Sequence, residues 1–426
     1  MNVSDSDFMA AHMESLGYTA AETIDQAAII IVNTCSVRAH PENAALSFVG
    51  RAEPFKRKDP SVKIIFAGCT AQRLQASVKK RFPAIDLVVG AREIESFPEL
   101  LKGILGNRPK ARSAKNRPAV RNISAFVPIM RGCENFCAYC VVPLVRGPEI
   151  SRPAGEILKE IKRLAKNGVK EVTLLGQNVN SYRGSLELGV RSSEKSKNTR
   201  TSTPVDFPEL LEMINSIKGI ERIRFMTSHP KDLKPKLINA MARLEKVCEH
   251  LHLPLQSGSG KVLKSMNRGY TASDYLSKIA ELKRKIPGIS LTTDILVGFP
   301  GESDRNFSET LKMINKAGYD SLFGFKYSVR PGTSAAMLED NVPLAKKEKR
   351  LDKVLELGNR LSAQKNAKLI QTVQEVLVES AADGFCSGST RQNKKVAFEG
   401  GSGLIGTTVK VRVTNVKVNS LSGDIV

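Results

Sequence analysis

The chain has 426 residues, more than one hydrophobic core usually organises, so two or three domains are expected. Lysine and arginine number 65 against 43 aspartates and glutamates, and the formal surplus of +22 points to a polyanionic partner, either nucleic acid or an anionic membrane surface. No run approaches the roughly eighteen apolar residues of a spanning helix, and MNVSDSDFMA has neither the basic start nor the apolar centre of an export signal. A cytoplasmic protein with no membrane partner is therefore expected, in which the 7 cysteines serve metals, catalysis or packing rather than disulfides.

The first hundred residues read as α/β. Ser4 to Leu16 has helical spacing at Phe8, Met9, His12, Met13 and Leu16, and apolar strand-like runs follow at Ala28–Val32, Val62–Ala67 and Ile85–Val89. A helix followed by a buried-type strand is the second half of a βαβ unit, yet no strand precedes this helix, so the N-terminal domain (1–104) is read as lacking its first strand. Residues 105–124 carry basic side chains and no acid, which reads as a solvated linker that could touch phosphate.

From Ala125 the pattern changes. Six strand candidates, AFVPIM, EVTLLG, RIRFM, HLHLPL, SLTTDILVGF and SLFGFKYS, alternate with amphipathic stretches such as AGEILKEIKRLAKNG. Repeated βα units predict a curved parallel sheet over 125–365, an incomplete (β/α)6 relative of the eight-fold barrel, whose chemistry would sit at the C-terminal strand ends. Arg183 to Pro204 is polar and Ser/Thr-rich and reads as a mobile surface loop. Lys346 to Leu369 reads as a basic helix with an apolar stripe at Leu351, Val354, Leu355, Gly358 and Leu361. The last stretch, 366–426, has short β-rich runs (QTVQEVLVES, KKVAFEG, GTTVKVRVTNV) between Gly and Ser, as in a small OB-like barrel.

Chemistry concentrates in RGCENFCAYCVVP, where Cys133, Cys137 and Cys140 follow the first barrel strand. Three thiolates in so short a loop can wrap an iron–sulfur cubane. Structural zinc is the main competitor and needs a fourth protein donor, but no His or Cys lies between Cys140 and His229. Three unrelated core cysteines are the weakest reading, so the fourth metal position is left to a ligand that is not protein.

At these residues the sequence resembles the radical S-adenosylmethionine superfamily, whose signature is Cys-x3-Cys-x2-Cys with an aromatic, here Tyr139, before the last cysteine. The resemblance implies a [4Fe-4S] cluster on Cys133, Cys137 and Cys140. Its unique iron would be chelated by the amine and carboxylate of S-adenosylmethionine, which one electron cleaves to a 5′-deoxyadenosyl radical. NTCSVR, FAGCTAQR, LLGQNVNSY, RFMTSHPKDL, HLPLQSGSGKVLKSMNRGYT and TDILVGFPGE extend the likeness over nearly the whole chain. It is most similar to the methylthiotransferase family, in particular to its MiaB-type members, which act on isopentenylated adenosine beside the tRNA anticodon. The tail resembles a TRAM domain, an RNA-binding barrel.

The resemblance implies more about individual residues. Read alone, Cys35 and Cys69 are small buried hydrophobes at strand ends. In the family they match two of three cysteines of an auxiliary [4Fe-4S] cluster that takes part in sulfur supply. The third would fall two residues upstream of Met1, and a start placed too far downstream would explain both its absence and that of the leading strand. Gly176, Gln177 and Asn178 would face the cofactor amine, and Asp294, Gly298 and Glu302 would lie where backbone contacts adenine. Arg146 and Arg152 are candidates for cofactor carboxylate or RNA phosphate. His250 and His252 are expected to line the barrel interior, and Cys248 and Cys386 to be structural thiols. Expected partners are a tRNA anticodon loop and an electron-donor protein, with the chain a monomer. The alternatives are methylthiolation of threonylcarbamoyladenosine in tRNA or of a ribosomal-protein aspartate, or an RNA-binding iron–sulfur protein without turnover.

Overall fold

The computed structural model describes residues 1–36, 39–105, 122–188 and 201–426. Residues 37 and 38 of NTCSVR, most of the predicted linker, and residues 189–200 of the predicted loop lie outside the described residues.

Helix α1 (Asn2–Ser15) leads into β1 (Ile29–Thr34), α2 (Ala39–Lys58), β2 (Lys63–Gly68), α3 (Cys69–Leu74), α4 (Ala76–Arg81), β3 (Leu87–Gly90) and α5 (Phe97–Leu105). The strands form a parallel sheet in the order β1-β2-β3. As the middle strand, β2 is packed on both faces, and its run Ile64, Ile65, Phe66 and Ala67 is wholly buried. One face meets Leu46, Val49 and Ala52 of α2; the other meets Met9 and Met13 of α1 and Phe97 and Leu101 of α5. The predicted stripe on α1 needs correcting, because Phe8 is exposed and Asp5 points inward instead. Arg131 and Arg146 meet Asp5 there.

The second unit runs β4 (Ser124–Pro128), β5 (Met130–Arg131), α6 (Val142–Arg146), β6 (Ile150–Ser151), α7 (Ala154–Lys166), β7 (Glu171–Leu175), β8 (Arg183–Leu188), β9 (Thr201–Asp206), α8 (Phe207–Asn215), β10 (Arg222–Met226), α9 (Pro235–Arg243), β11 (His250–His252), α10 (Gly260–Ser265), α11 (Ala272–Lys285), β12 (Ser290–Val297), α12 (Asp304–Ala317), β13 (Ser321–Lys326) and α13 (Leu344–Ala367). The predicted strands are all present. They form two parallel three-stranded sheets, β4-β7-β10 and β11-β12-β13, joined by a bridge between Ile223 and Val247. A partial barrel results, and one continuous core fills the space between its strands and helices.

Two expectations fail in this unit. The described arms of Arg183–Pro204 are not a loop but the antiparallel pair β8 and β9, in which Ser185 faces Pro204. Leu186 and Val205 pack them onto the core, and Asp206 caps α8 by accepting from the Glu209 N–H at 3.1 Å. On α13 the buried face carries Lys347 and Arg350 beside Val354, Leu357 and Gly358, while Leu355 is exposed. Those charges turn inward because Asp340 and Glu302 pair with them, both at under 3 Å.

The chain ends in β14 (Val373–Ala382), β15 (Phe385–Thr390), β16 (Lys395–Glu399), β17 (Thr408–Val416) and β18 (Ser420–Ile425), a closed barrel in the order β14-β15-β16-β18-β17. Arg222 and Arg224, in the first half of β10, fasten it to the larger unit. Arg222 donates to the Ser389 carbonyl at 2.6 Å, and Arg224 donates to the carbonyls of Thr390 at 2.7 Å and Arg391 at 2.9 Å. Among the described residues no helix is long and apolar enough to cross a membrane.

Candidate functional site

The cysteine loop leaves the C-terminal end of the first barrel strand through Gly132. There φ is +79°, and a side-chain Cβ would meet the Pro148 carbonyl oxygen at 1.7 Å, so only glycine fits. The far side of the barrel grips the loop with three consecutive residues. The Met266 carbonyl accepts from Ala138 N–H at 2.9 Å, Asn267 Nδ2 donates to the Phe136 carbonyl at 3.0 Å, and Arg268 Nη1 donates to Cys137 Sγ at 3.1 Å. Cys137 is buried, while Cys133 and Cys140 are half-buried. Burial raises the Cys133 thiol and pushes the Cys140 thiol up to about 12. Among the described residues no three of His, Cys, Asp and Glu converge on a point where one metal ion could sit. A cubane takes one thiolate per iron and does not need its donors to meet at a single point.

Around the loop, at the same ends of β7 and β10, several buried polar atoms have no protein partner: Gln177 Oε1, both amide atoms of Asn180 and Ser228 Oγ. Unpaired buried polar groups are costly, and their place after β7 and β10, the strands next to the one that leads into the cysteine loop, suits a polar ligand such as an amino-acid moiety. Gln177 follows the end of β7 with a buried Oε1 that has no partner among the described residues. At Gly176 a Cβ would lie 2.5 Å from Met130 Cγ, so the position packs tightly. The Asn178 amide is taken up by His229 N–H at 3.0 Å and Asp232 Oδ2 at 2.7 Å, so it shapes the turn rather than facing the rim. Asn180 and Ser228 lie in the quoted segments LLGQNVNSY and RFMTSHPKDL, but nothing in their residue type separated them from turn residues.

The other candidates divide. Tyr139 OH lies 3.4 Å from Arg268 Nη1. Asp294 points to His252 at 3.5 Å, and its carbonyl accepts from Gln256 N–H at 2.8 Å. His250 and His252 are both buried, within reach of Thr292 Oγ1. Glu302 accepts from Gly298 N–H at 2.7 Å and Arg350 Nη1 at 2.8 Å, so its carboxylate braces the strand-to-helix turn. Arg152 donates to the Pro128 carbonyl and pairs with Glu160 at 2.8 Å. Cys248 and Cys386 are buried thiols. His229 stands 3.9 Å from Cys137 Sγ through Nε2, and its Nδ1 accepts from Lys231 N–H. Burial, then the nearby Arg268, Lys231 and Lys278 charges, bring its pKa down to about 2, so it is a neutral imidazole.

A second thiol pair stands next door. The register sets Thr34 opposite Gly68, so Cys35 and Cys69 leave neighbouring strands side by side. Cys69 packs with Val141 and Val145, immediately beyond Cys140. Burial raises the Cys69 thiol, and the Arg146 guanidinium beside it works the other way. Arg146 is buried and pairs through Nη2 with Asp5 at 2.8 Å, while Arg131 takes the other oxygen at 3.0 Å; Arg146 Nη1 is buried with no hydrogen-bond partner among the described residues. Cys35 and Cys69 alone are a partial donor set for a cubane.

A partial (β/α) barrel with a three-cysteine loop at its rim, an α/β sheet before it and a small closed barrel after it defines a radical S-adenosylmethionine protein of composite build. Residues 127–314 match the Radical SAM superfamily, residues 1–90 the uncharacterized protein family UPF0004, and residues 368–426 the TRAM domain. The chain is 42% identical to the tRNA-2-methylthio-N(6)-dimethylallyladenosine synthase of Alkaliphilus oremlandii, over all of this chain and 90% of that protein. It is 40% identical to the synthase of the same name from Endomicrobium trichonymphae, over all of this chain and 97% of the relative. The protein belongs to the tRNA-2-methylthio-N(6)-dimethylallyladenosine synthase family. Membership implies a [4Fe-4S] cluster and S-adenosylmethionine, and the thiol loop with its orphaned polar neighbours fits both. In fold, the chain resembles the radical S-adenosylmethionine methyltransferase TsrM from Kitasatospora setae, solved with cobalamin and a [4Fe-4S] cluster, with a TM-score of 0.53 and 12% identity over 90% of this chain and 73% of that one.

Proposed function

We propose that the protein installs a methylthio group at C2 of N6-isopentenyladenosine next to the anticodon of tRNA, with S-adenosylmethionine as methyl donor and radical source. The observation that carries this reading is the contact of Cys69 with Val141 and Val145, which sets a second thiol site against the barrel's cysteine loop. Sulfur insertion needs a sulfur-bearing site within reach of a C–H-activating one, and the packing of Cys69 on Val141 and Val145 supports that adjacency. Cluster and cofactor supply, when bound, the one-electron chemistry that can activate an unreactive aromatic C–H. The chain's own part is to hold the cluster on Cys133, Cys137 and Cys140, and to offer Gln177, Asn180 and Ser228 to the cofactor's polar end. Cys35 and Cys69 would be two ligands of an auxiliary cluster completed by a donor beyond them.

Single-stranded loop bases can be splayed out without melting a duplex, and the surplus of +22 suits a polyanion, so the substrate class agrees with the charge. We place the protein in the cytoplasm as a monomer served by a separate electron donor. The test is mass spectrometry of nucleosides from tRNA of a strain lacking the gene, after incubation with anaerobically reconstituted protein, reductant and S-adenosylmethionine. A 2-methylthio derivative of isopentenyladenosine is expected. A methylthio product on threonylcarbamoyladenosine instead, or no product from an S-adenosylmethionine-cleaving preparation, would overturn the assignment.

A further inference from the structure

Arg268 is a buried cation aimed at one thiol of the site. Its residue is 4% exposed, and each of its nitrogens is engaged: Nη1 with Cys137 Sγ at 3.1 Å, Nη2 with the Pro254 carbonyl at 3.0 Å, and Nε with Tyr270 OH at 3.1 Å. Tyr270 is itself fixed, donating to the Leu255 carbonyl at 2.8 Å. A guanidinium keeps its proton at any working pH, so Arg268 is a fixed cation despite its burial. His229 approaches the same sulfur from another side. Because its Nδ1 accepts from Lys231 N–H, its proton sits on Nε2, facing Cys137 at 3.9 Å. Cys133 has a weaker neighbour, the neutral Asn135 amide at 3.5 Å. The donors are therefore unequal: among the described residues Cys137 takes the charged donor.

We propose that Arg268, oriented by Tyr270 and seconded by His229, is a positioning residue that sets the reduction potential of the cluster through Cys137. The inference rests on the reading that the cluster is held by Cys133, Cys137 and Cys140. Reduction adds negative charge to cluster and thiolates together. A fixed cation hydrogen-bonded to one thiolate in a dry site therefore stabilises the reduced state more than the oxidised one. The arrangement also explains why a flexible lysine would be a poor substitute: only a planar fork reaches the sulfur and the Pro254 carbonyl at once.

The test is an anaerobic redox titration of the reconstituted full chain, followed by electron paramagnetic resonance, with iron content measured on each sample. Arg268→Gln is expected to load iron and to show about a tenfold lower ratio of reduced to oxidised cluster at a fixed ambient potential, about 59 mV for a one-electron couple. Arg268→Lys should fall between it and the parent. Tyr270→Phe keeps the ring but frees the guanidinium, and a smaller shift of the same sign is expected. An unchanged potential in iron-replete Arg268→Gln overturns the proposal. If Arg268→Gln does not load iron, unchanged potentials in both Arg268→Lys and Tyr270→Phe overturn it equally. Failure of the parent protein to load a cluster that depends on Cys133, Cys137 and Cys140 would instead strike at the reading beneath it.

Discussion

Arg146 donates from Nη2 to Asp5 Oδ2 at 2.8 Å, and both side chains are shut away from solvent. Arg131 binds the other oxygen of Asp5 at 3.0 Å. These arginines bracket the cysteine loop, one just before Cys133 and one just after Cys140, so a single carboxylate on α1 ties both ends of the loop to the N-terminal sheet. The second thiol site thus meets the first through a rigid joint.

Asp5→Asn should therefore destabilise the protein heavily. Removing one member of a buried charge cluster strands the others, which costs about 3–5 kcal/mol. Urea unfolding should show the loss, and Asp5→Asn should also retain less iron after reconstitution. An unfolding midpoint equal to that of the parent would contradict the joint.

On the barrel sheet, Arg224 of β10 pairs with Glu171 of β7 at 2.9 Å and reaches two carbonyls of the small C-terminal barrel. Arg224→Met keeps the bulk and removes these bonds. Amide exchange in β15 and β16 should then accelerate, while iron loading at the distant loop stays at the parent level. Unaltered exchange would show that this arginine does not hold the small barrel in place.

Asp320 offers a pH signature. It pairs with Lys365 at 2.6 Å and Lys394 at 3.2 Å. Burial alone would raise its pKa, but the Lys394 and Lys365 charges, with the Leu291 N–H, outweigh it and hold the carboxyl below its ordinary value. A depressed folded-state pKa stabilises the protein fully above the unfolded value, about 3.9, and that contribution fades as pH falls toward the folded one. Asp320→Asn should accordingly be less stable than the parent at neutral pH, with the gap closing below about pH 4. A gap that persists into acid would contradict the assignment.

Legibility in the sequence followed local pattern. The six barrel strands were visible because β-branched runs alternate with amphipathic helices, and the three-cysteine loop because its spacing has few meanings. In the small barrel, FCSGST and SLSGDI were missed as strands: Ser and Gly dominate them, and closure of the barrel supplies what propensity does not. The inward turns of Asp5, Lys347 and Arg350 were hidden, since each depends on a partner remote in sequence. Arg268 was invisible for the same reason. It stands in a quoted motif, yet only the fold brings it to a cysteine more than a hundred residues earlier.

The most direct test is the electron paramagnetic resonance spectrum of the reduced, anaerobically reconstituted protein before and after S-adenosylmethionine is added. The loop is expected to hold a cluster of about four irons whose signal changes on addition, because one iron is open to the cofactor. Cys133→Ala, Cys137→Ala and Cys140→Ala combined should abolish that response. A spectrum indifferent to the cofactor, or a response that survives loss of all three thiols, would contradict the account.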